Sequence, residues 1–133
     1  MDPTVLIVEN DRVTAGLLAG AAADCGFSSE VAADGEAAIE RLSAGTWDVV
    51  VLDLLLPRNG GLDVLRHLKA TAPDLLERTI VMMSPESAPE CSELQSVWRS
   101  MPKPVDVEVL STEMLACVAE HAMTRTQMRQ LPR

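Results

Sequence analysis

The chain has 133 residues, of which 47% are apolar and 23% charged, with a net charge of −9. That length and apolar content suit one folded domain with its own core and exclude a disordered segment. There is no run of about 18 apolar residues to cross a membrane, and the acidic field repels nucleic acid and other polyphosphates.

Aromatic residues make up 2% of the chain, too few for a flavin or nucleotide pocket built on ring stacking. Cys25, Cys91 and Cys117 are far apart and odd in number, with no C-x-x-C or Cys/His metal spacing. They read as small core or helix residues in a reducing, cytoplasmic setting. The amino-terminal Met1-Asp2-Pro3-Thr4 carries no basic stretch, so it does not read as a signal peptide.

The first element is Thr4-Val5-Leu6-Ile7-Val8, a β-branched apolar run typical of a strand buried on both faces. Glu9-Asn10-Asp11 then breaks the run with helix-capping chemistry. Val13, Leu17, Leu18, Ala21 and Cys25 recur at helical spacing, and Gly26 is the expected stop. Phe27 to Ala32 reads as a shorter strand nearer an edge. Asp34 can cap a second helix carrying Ala38, Ile39 and Leu42, ending near Gly45.

Val49-Val50-Val51-Leu52 is the next buried strand and ends on Asp53. A turn with Pro57 and Gly60-Gly61 leads into a third helix presenting Leu62, Leu65 and Leu68. Thr79 to Met83 is a fourth strand, ending on Ser84. The stretch from Pro85 to Gln95 is polar and holds two prolines, so any helix there is short or irregular. Ser96 to Met101 reads as a weak fifth strand. From Asp106 a long helix places Val107, Leu110, Met114, Cys117, Val118 and His121 on one face.

Strands alternating with helices imply a parallel sheet with helices on both faces. With right-handed crossovers this is an α/β doubly wound three-layer sandwich. No linker or repeat divides the chain, so residues 1–133 are taken as one domain whose tail frays from about residue 125. Arg125, Arg129 and Arg133 are too few to make a nucleic-acid site.

In such sheets ligands bind beyond the carboxyl ends of the strands, where strand order reverses. Here those ends carry Glu9-Asn10, Asp53, Ser84 and Lys103. Singly, each has an ordinary explanation as a turn residue, a cap or a solvated charge. Jointly, an acid, an amide, a second acid, a hydroxyl and an ammonium converge at one edge.

The run Val8-Glu9-Asn10-Asp11 resembles a motif of response-regulator receiver domains. So do Val49 to Pro57 around Asp53, with Gly61 eight residues after that Asp, the pair Met83-Ser84 and the pair Lys103-Pro104. The resemblance follows these motifs in order through the chain. It implies a flavodoxin-like five-stranded parallel sheet of order 2-1-3-4-5. It also implies two-component signalling, with Asp53 accepting a phosphoryl group from a histidine kinase or phosphotransfer protein. Mg²⁺ is the implied cofactor, held by Glu9, Asn10, Asp53 and the backbone carbonyl of Leu55. Lys103 and Ser84 are the implied phosphoryl-stabilising and switch residues. A downstream protein is the implied target, on the face of the fourth helix, fifth strand and fifth helix. No separate substrate is turned over, and the chain is expected to be a monomer or weak dimer. No output segment follows, so direct control of transcription is not expected.

Three departures from the family pattern stand out. Asn10 replaces the second acid of the usual pair, so Mg²⁺ affinity is expected to be reduced, with Asp11 a weaker candidate ligand. Pro85 stands where a small residue is usual. Ser100 occupies the place of the family's switch aromatic, leaving Trp98 as a nearby substitute or, better, a core residue. Asn10 and Pro85 favour an alternative, a pseudo-receiver or protein-interaction module with weak or no phosphorylation, which Asp53, Ser84 and Lys103 together oppose.

Enzymes on the same scaffold fit less well. A haloacid-dehalogenase-type phosphatase wants an Asp where Leu55 stands, and neither a P-loop nor G-x-G-x-x-G is present. His67 and His121 read as surface residues of separate helices. Met82, Met83 and Met114 sit at core spacing.

Overall fold

A computed structural model describes residues 2–84, 86 and 89–130, with side chains described as far as Ala122. Pro85 and Arg133 lie outside the described residues, as do the side chains of Arg125 and Arg129. The strands are β1 (Thr4–Val8), β2 (Ser28–Ala32), β3 (Val49–Asp53), β4 (Thr79–Met83) and β5 (Arg99–Pro102). They form one all-parallel sheet in the order β2-β1-β3-β4-β5. The helices are α1 (Arg12–Asp24), α2 (Gly35–Ala44), α3 (Gly60–Thr71), the single turn α4 (Pro73–Leu76) and α5 (Val107–Gln130). Among the described residues no helix is long and apolar enough to cross a membrane.

The two faces of the sheet explain the continuous apolar strands. Successive side chains of a strand point to opposite faces. Leu6, Val8, Val50 and Leu52 pack with Ala38 of α2 and Val64, Leu65 and Leu68 of α3. Val5, Ile7, Val49 and Val51 pack on the other face with Leu18 and Ala22 of α1 and Leu110, Met114 and Cys117 of α5. Helices cover the sheet on both faces, so every residue of β1 after Thr4 and of β3 is buried. Burial pushes the Cys117 thiol up to about 12, which makes it an inert core group.

Helix starts follow the expected chemistry. Asp11 caps α1 by accepting from the Thr14 N–H at 2.9 Å, and Asp34 caps α2 by accepting from the Ala37 N–H at 2.7 Å. After α1, Gly26 takes φ +86, a conformation that costs a glycine little. Gly61 is needed for a different reason. At that point α3 passes so close to the Leu54 carbonyl that an added methyl would collide with it.

Some sequence expectations are corrected. Val13 and Leu17, assigned to the buried stripe of α1, are 73% and 60% exposed. Ala15, Leu18, Ala21 and Ala22 form the stripe instead, because a helix buries one arc and these residues occupy it. Val107, assigned to the buried face of α5, is exposed in its first turn. The fifth strand starts at Arg99, where Trp98 N–H bonding to the Thr79 carbonyl brings the chain alongside β4. Between β4 and β5 the longest helical piece of the described residues is a 3₁₀ turn, Ser92–Gln95. The helical backbone of α5 is described as far as Gln130.

Two glycines should respond in opposite directions to alanine. Gly61→Ala must push α3 off the Leu54 carbonyl and should cost about 3 kcal/mol. Gly20, exposed in α1 with nothing within 4 Å of an added methyl, should gain about 0.5–1 kcal/mol as Ala. Urea unfolding of the two variants against wild type measures both.

Candidate functional site

The sheet builds the site at the point where the chain leaves β1 and β3 in opposite directions. After β1 it turns onto the face covered by α1, and after β3 onto the face covered by α3. A crevice opens between the two adjacent strand ends. Glu9 follows β1, held by its N–H donating to the Ala32 carbonyl at 3.0 Å. Asp53 closes β3. Both carboxylates are buried, at 4% and 2% exposure, which is uncommon for acids.

Lys103 reaches across from the end of β5. Its backbone N–H donates to the Met83 carbonyl at 3.2 Å, and its Nζ lies 2.6 Å from Asp53 Oδ1. The same Oδ1 accepts from the Leu55 N–H at 3.0 Å. Asp53 is therefore a buried carboxylate with a charge partner and a backbone donor.

Glu9 has no such partner. Its Oε1 accepts from the Asp11 N–H at 3.1 Å, but its Oε2 is buried without a hydrogen bond. Burial, first of all, pushes its carboxyl up to about 7. The Asp11 N–H pulls it down, Asp53 pushes it up by its charge and by accepting a hydrogen bond from Glu9 once Glu9 holds a proton, and the Lys103 charge pulls it down.

A cavity of about 520 Å³ joins these groups, lined by Glu9, Asn10, Asp11, Asp53, Leu55 and Lys103 among others. Asn10 is exposed at its rim. Asp11 borders the cavity too, but its carboxylate is used by the start of α1, accepting from both the N–H and the hydroxyl of Thr14. Ser84 is half-buried and lines a second, smaller cavity of about 140 Å³, with Leu55 bordering both.

Ser100 and Trp98 are not brought to the crevice. Ser100 is exposed in the edge strand β5. Trp98 lies at the amino ends of the strands, opposite the site, beside the first residue of β4. Its indole N–H donates to Glu113 at 2.9 Å and the Arg99 guanidinium lies 4.9 Å over its ring.

The donor set decides what cation suits the crevice. Glu9 Oε2, Asp53 and the Asn10 amide are oxygen donors, the choice of a hard divalent ion such as Mg²⁺. The orphaned Glu9 oxygen is the observation that fits one, since a buried acceptor with no donor calls for a positive partner. Against tight binding, no three acidic, His or Cys side chains converge on one point among the described residues. Two carboxylates and an amide fit a weakly held, largely hydrated ion.

The cavity has a second wall that sequence reading misplaced. Leu17, Leu18, Met82, Val105 and Val107 line it beside the polar groups. Leu17 and Val107 were assigned to the core from helical spacing. Their signal was ambiguous, because a residue at the rim of a buried arc keeps the same period as one inside it.

The chain was compared with known families, curated proteins and solved structures. A model of the response regulator receiver domain matches residues 5–114. The transcriptional regulatory protein DltR of Streptococcus agalactiae is 32% identical over 83 residues, 62% of this chain and 36% of that protein. The response regulator MprA of Mycolicibacterium vanbaalenii is 37% identical over 75 residues, 56% of this chain and 32% of that protein. The matched segment thus spans about a third of either relative's length. A Francisella response regulator receiver domain has the same fold, with a TM-score of 0.79 at 20% identity, covering 90% of this chain and 99% of that one.

The buried Glu9 makes stability depend on pH. Its folded carboxyl titrates near 7, against an ordinary value of 4.5 when unfolded. Below about pH 4.5 both states hold the proton and burial costs nothing. Between 4.5 and 7 the unfolded chain ionises first, so stability falls as pH rises, by a total of about 3 kcal/mol above pH 7. In metal-free buffer the urea midpoint of wild type should drop between pH 5 and pH 8, and Glu9→Gln should remove most of that drop.

Proposed function

As the chain belongs to the response regulator receiver family, we propose that it accepts a phosphoryl group on Asp53 and passes the change to a protein partner. One observation carries this reading. A carboxylate buried at the switch point of the sheet sits 2.6 Å from the Lys103 ammonium, beside an unpartnered Glu9 oxygen in an open cavity.

Asp53 is the nucleophile. Its carboxylate oxygen forms a bond to phosphorus as the bond to the donor's imidazole nitrogen breaks, and the imidazole leaves with that electron pair. Glu9, Asn10, Asp53 and the Leu55 carbonyl would hold Mg²⁺, whose charge offsets that of the phosphoryl oxygens. Lys103 pairs with those oxygens once Asp53 carries the phosphoryl group as an acyl phosphate, since its former carboxylate partner has lost its charge. Ser84 borders the same Leu55 from the other cavity, and its hydroxyl is the group to hydrogen-bond a phosphoryl oxygen after transfer.

The donor is a histidine kinase or phosphotransfer protein, and no separate substrate is converted. Movement of Lys103 and Ser84 reshapes the end of β5 and the start of α5, which a target can read as a change of surface.

A specific observation favours a second reading, a pseudo-receiver that binds partners without phosphorylation. Asn10 leaves the crevice one acid short, so the cation that would offset the phosphoryl charge is held less tightly.

Incubation with acetyl phosphate and millimolar Mg²⁺, followed by intact mass, separates the two. Wild type should gain one phosphoryl group and Asp53→Asn none. If wild type gains none while a control receiver does, the second reading stands. Asn10→Asp should tighten Mg²⁺ roughly tenfold, about 1.4 kcal/mol. That is a fraction of the ~4 kcal/mol that one charge pair is worth at 4 Å before solvation offsets. Calorimetric titration of Mg²⁺ into both proteins measures it.

A further inference from the structure

The outward side of α1 is apolar along its whole length. Between Arg12 and Asp24, its first and last residues, the helix has no charged side chain. The arc turned to solvent is Val13, Gly16, Leu17, Gly20 and Ala23, while Ala15, Leu18, Ala21 and Ala22 face the core. A surface helix ordinarily carries polar side chains on its outer arc, and a continuous apolar patch marks a contact surface. Beside this arc runs a groove of about 370 Å³ between α1 and the first turns of α5, bordered by Gly16, Leu17, Gly20 and Val107.

The two charges at the ends of the arc identify its occupant. Arg12 stands at the amino end of α1 and Asp24 at the carboxyl end, each where the helix dipole disfavours its charge. Neither has an ion-pair partner among the described residues. They lie six residues to either side of Leu18, just as Gly16 and Gly20 lie two to either side. The face is therefore its own complement when a second copy is laid on it antiparallel. Arg12 of each copy then meets Asp24 of the other, at both ends, and the glycines cross at the centre.

We propose that α1 is the contact face of an antiparallel, two-fold symmetric dimer of this chain. Leu17 of one copy sits over the groove beside Gly16 and Gly20 of the other. A 13-residue helix is about 20 Å long, so pairing buries less than about 1,200 Å² in all, the range of weak and transient contacts. The net charge of −9 on each copy opposes pairing at long range. At about 0.15 M salt, charges more than about 8 Å apart are screened while the end pairs remain in contact. Pairing of this kind does not depend on whether Asp53 accepts a phosphoryl group.

Sedimentation equilibrium at about 0.15 M salt, with protein up to about 1 mM, tests this. Wild type should follow a monomer–dimer equilibrium. Arg12→Glu and Asp24→Arg should each weaken it about tenfold, because each sets like charges together at both ends. The two reversals in one chain should restore it to within about twofold of wild type. Both reversals suit the dipole of α1, so loss of pairing cannot come from a weakened helix. Gly16→Gln fills the groove at a position with nothing within 4 Å of an added methyl, and should abolish pairing while circular dichroism shows the monomer still folded. A wild type that stays monomeric to about 1 mM would overturn the dimer and leave the face to a different protein. A dimer that the double reversal does not restore, or that Gly16→Gln leaves intact, would overturn α1 as its contact face. The acetyl phosphate experiment tests Asp53 separately, so failure of the dimer leaves the phosphoacceptor reading standing.

Discussion

The ion pair between Asp53 and Lys103 is the constraint on which the site depends. Its two residues close β3 and follow β5, strands that are not neighbours, so the pair bridges over the end of β4. A carboxylate with 2% exposure cannot remain charged there without a partner, and removing the partner of a buried charge is strongly destabilising. The fold therefore holds the loop after β5 against the crevice for as long as Asp53 is an anion. Any chemistry that changes the Asp53 carboxylate must also change what Lys103 is bound to. That is the physical link between a reaction at one atom and the position of a whole segment.

Glu9 shows the other side of the same balance. It is buried almost as deeply as Asp53 but has a backbone donor on one oxygen and none on the other. Lys103 is already engaged by Asp53, so Glu9 can lower its cost only by holding a proton or by meeting a cation. Asn10 sharpens this choice, because a carboxylate in its place would add attraction for a cation and repulsion for the two existing acids. A crevice with a neutral amide is easier to fold without a metal and weaker at holding one. These two consequences cannot be separated, since both come from the same missing charge.

Much of this was legible in the sequence because it depends on strand ends. A continuous β-branched run ends where its apolar residues stop, so Glu9, Asp53 and Ser84 could be placed from the pattern alone. Lys103 was placed from its distance beyond a much weaker strand, and the boundaries of that strand moved while its end stayed close. What the sequence could not reveal was direction. Leu17 and Val107 have core chemistry and core spacing, yet face a cavity, because the rotation of a helix about its axis is set by what it packs against. Trp98 is close in sequence to Lys103 but at the opposite end of the sheet, because β5 runs away from it. Ser84 is at a strand end as expected, though it borders a neighbouring cavity.

The segment between β4 and β5 bears on how a change at Asp53 can travel. The target face expected from family resemblance includes a fourth helix there, whereas the longest helical piece among the described residues of that segment is a 3₁₀ turn, Ser92–Gln95. Ser100 on β5 is exposed and carries no ring that could swing between two positions. The covalent path from Lys103 is clearer. It runs through Pro104 and Val105 to Asp106, whose carbonyl accepts from the Leu110 N–H and starts α5. Leu110 is in turn fixed in the core with Met114 and Cys117. A displacement of Lys103 would therefore reach the first turn of α5 through a short loop, and there Val107 lines the same cavity as Leu17 of α1.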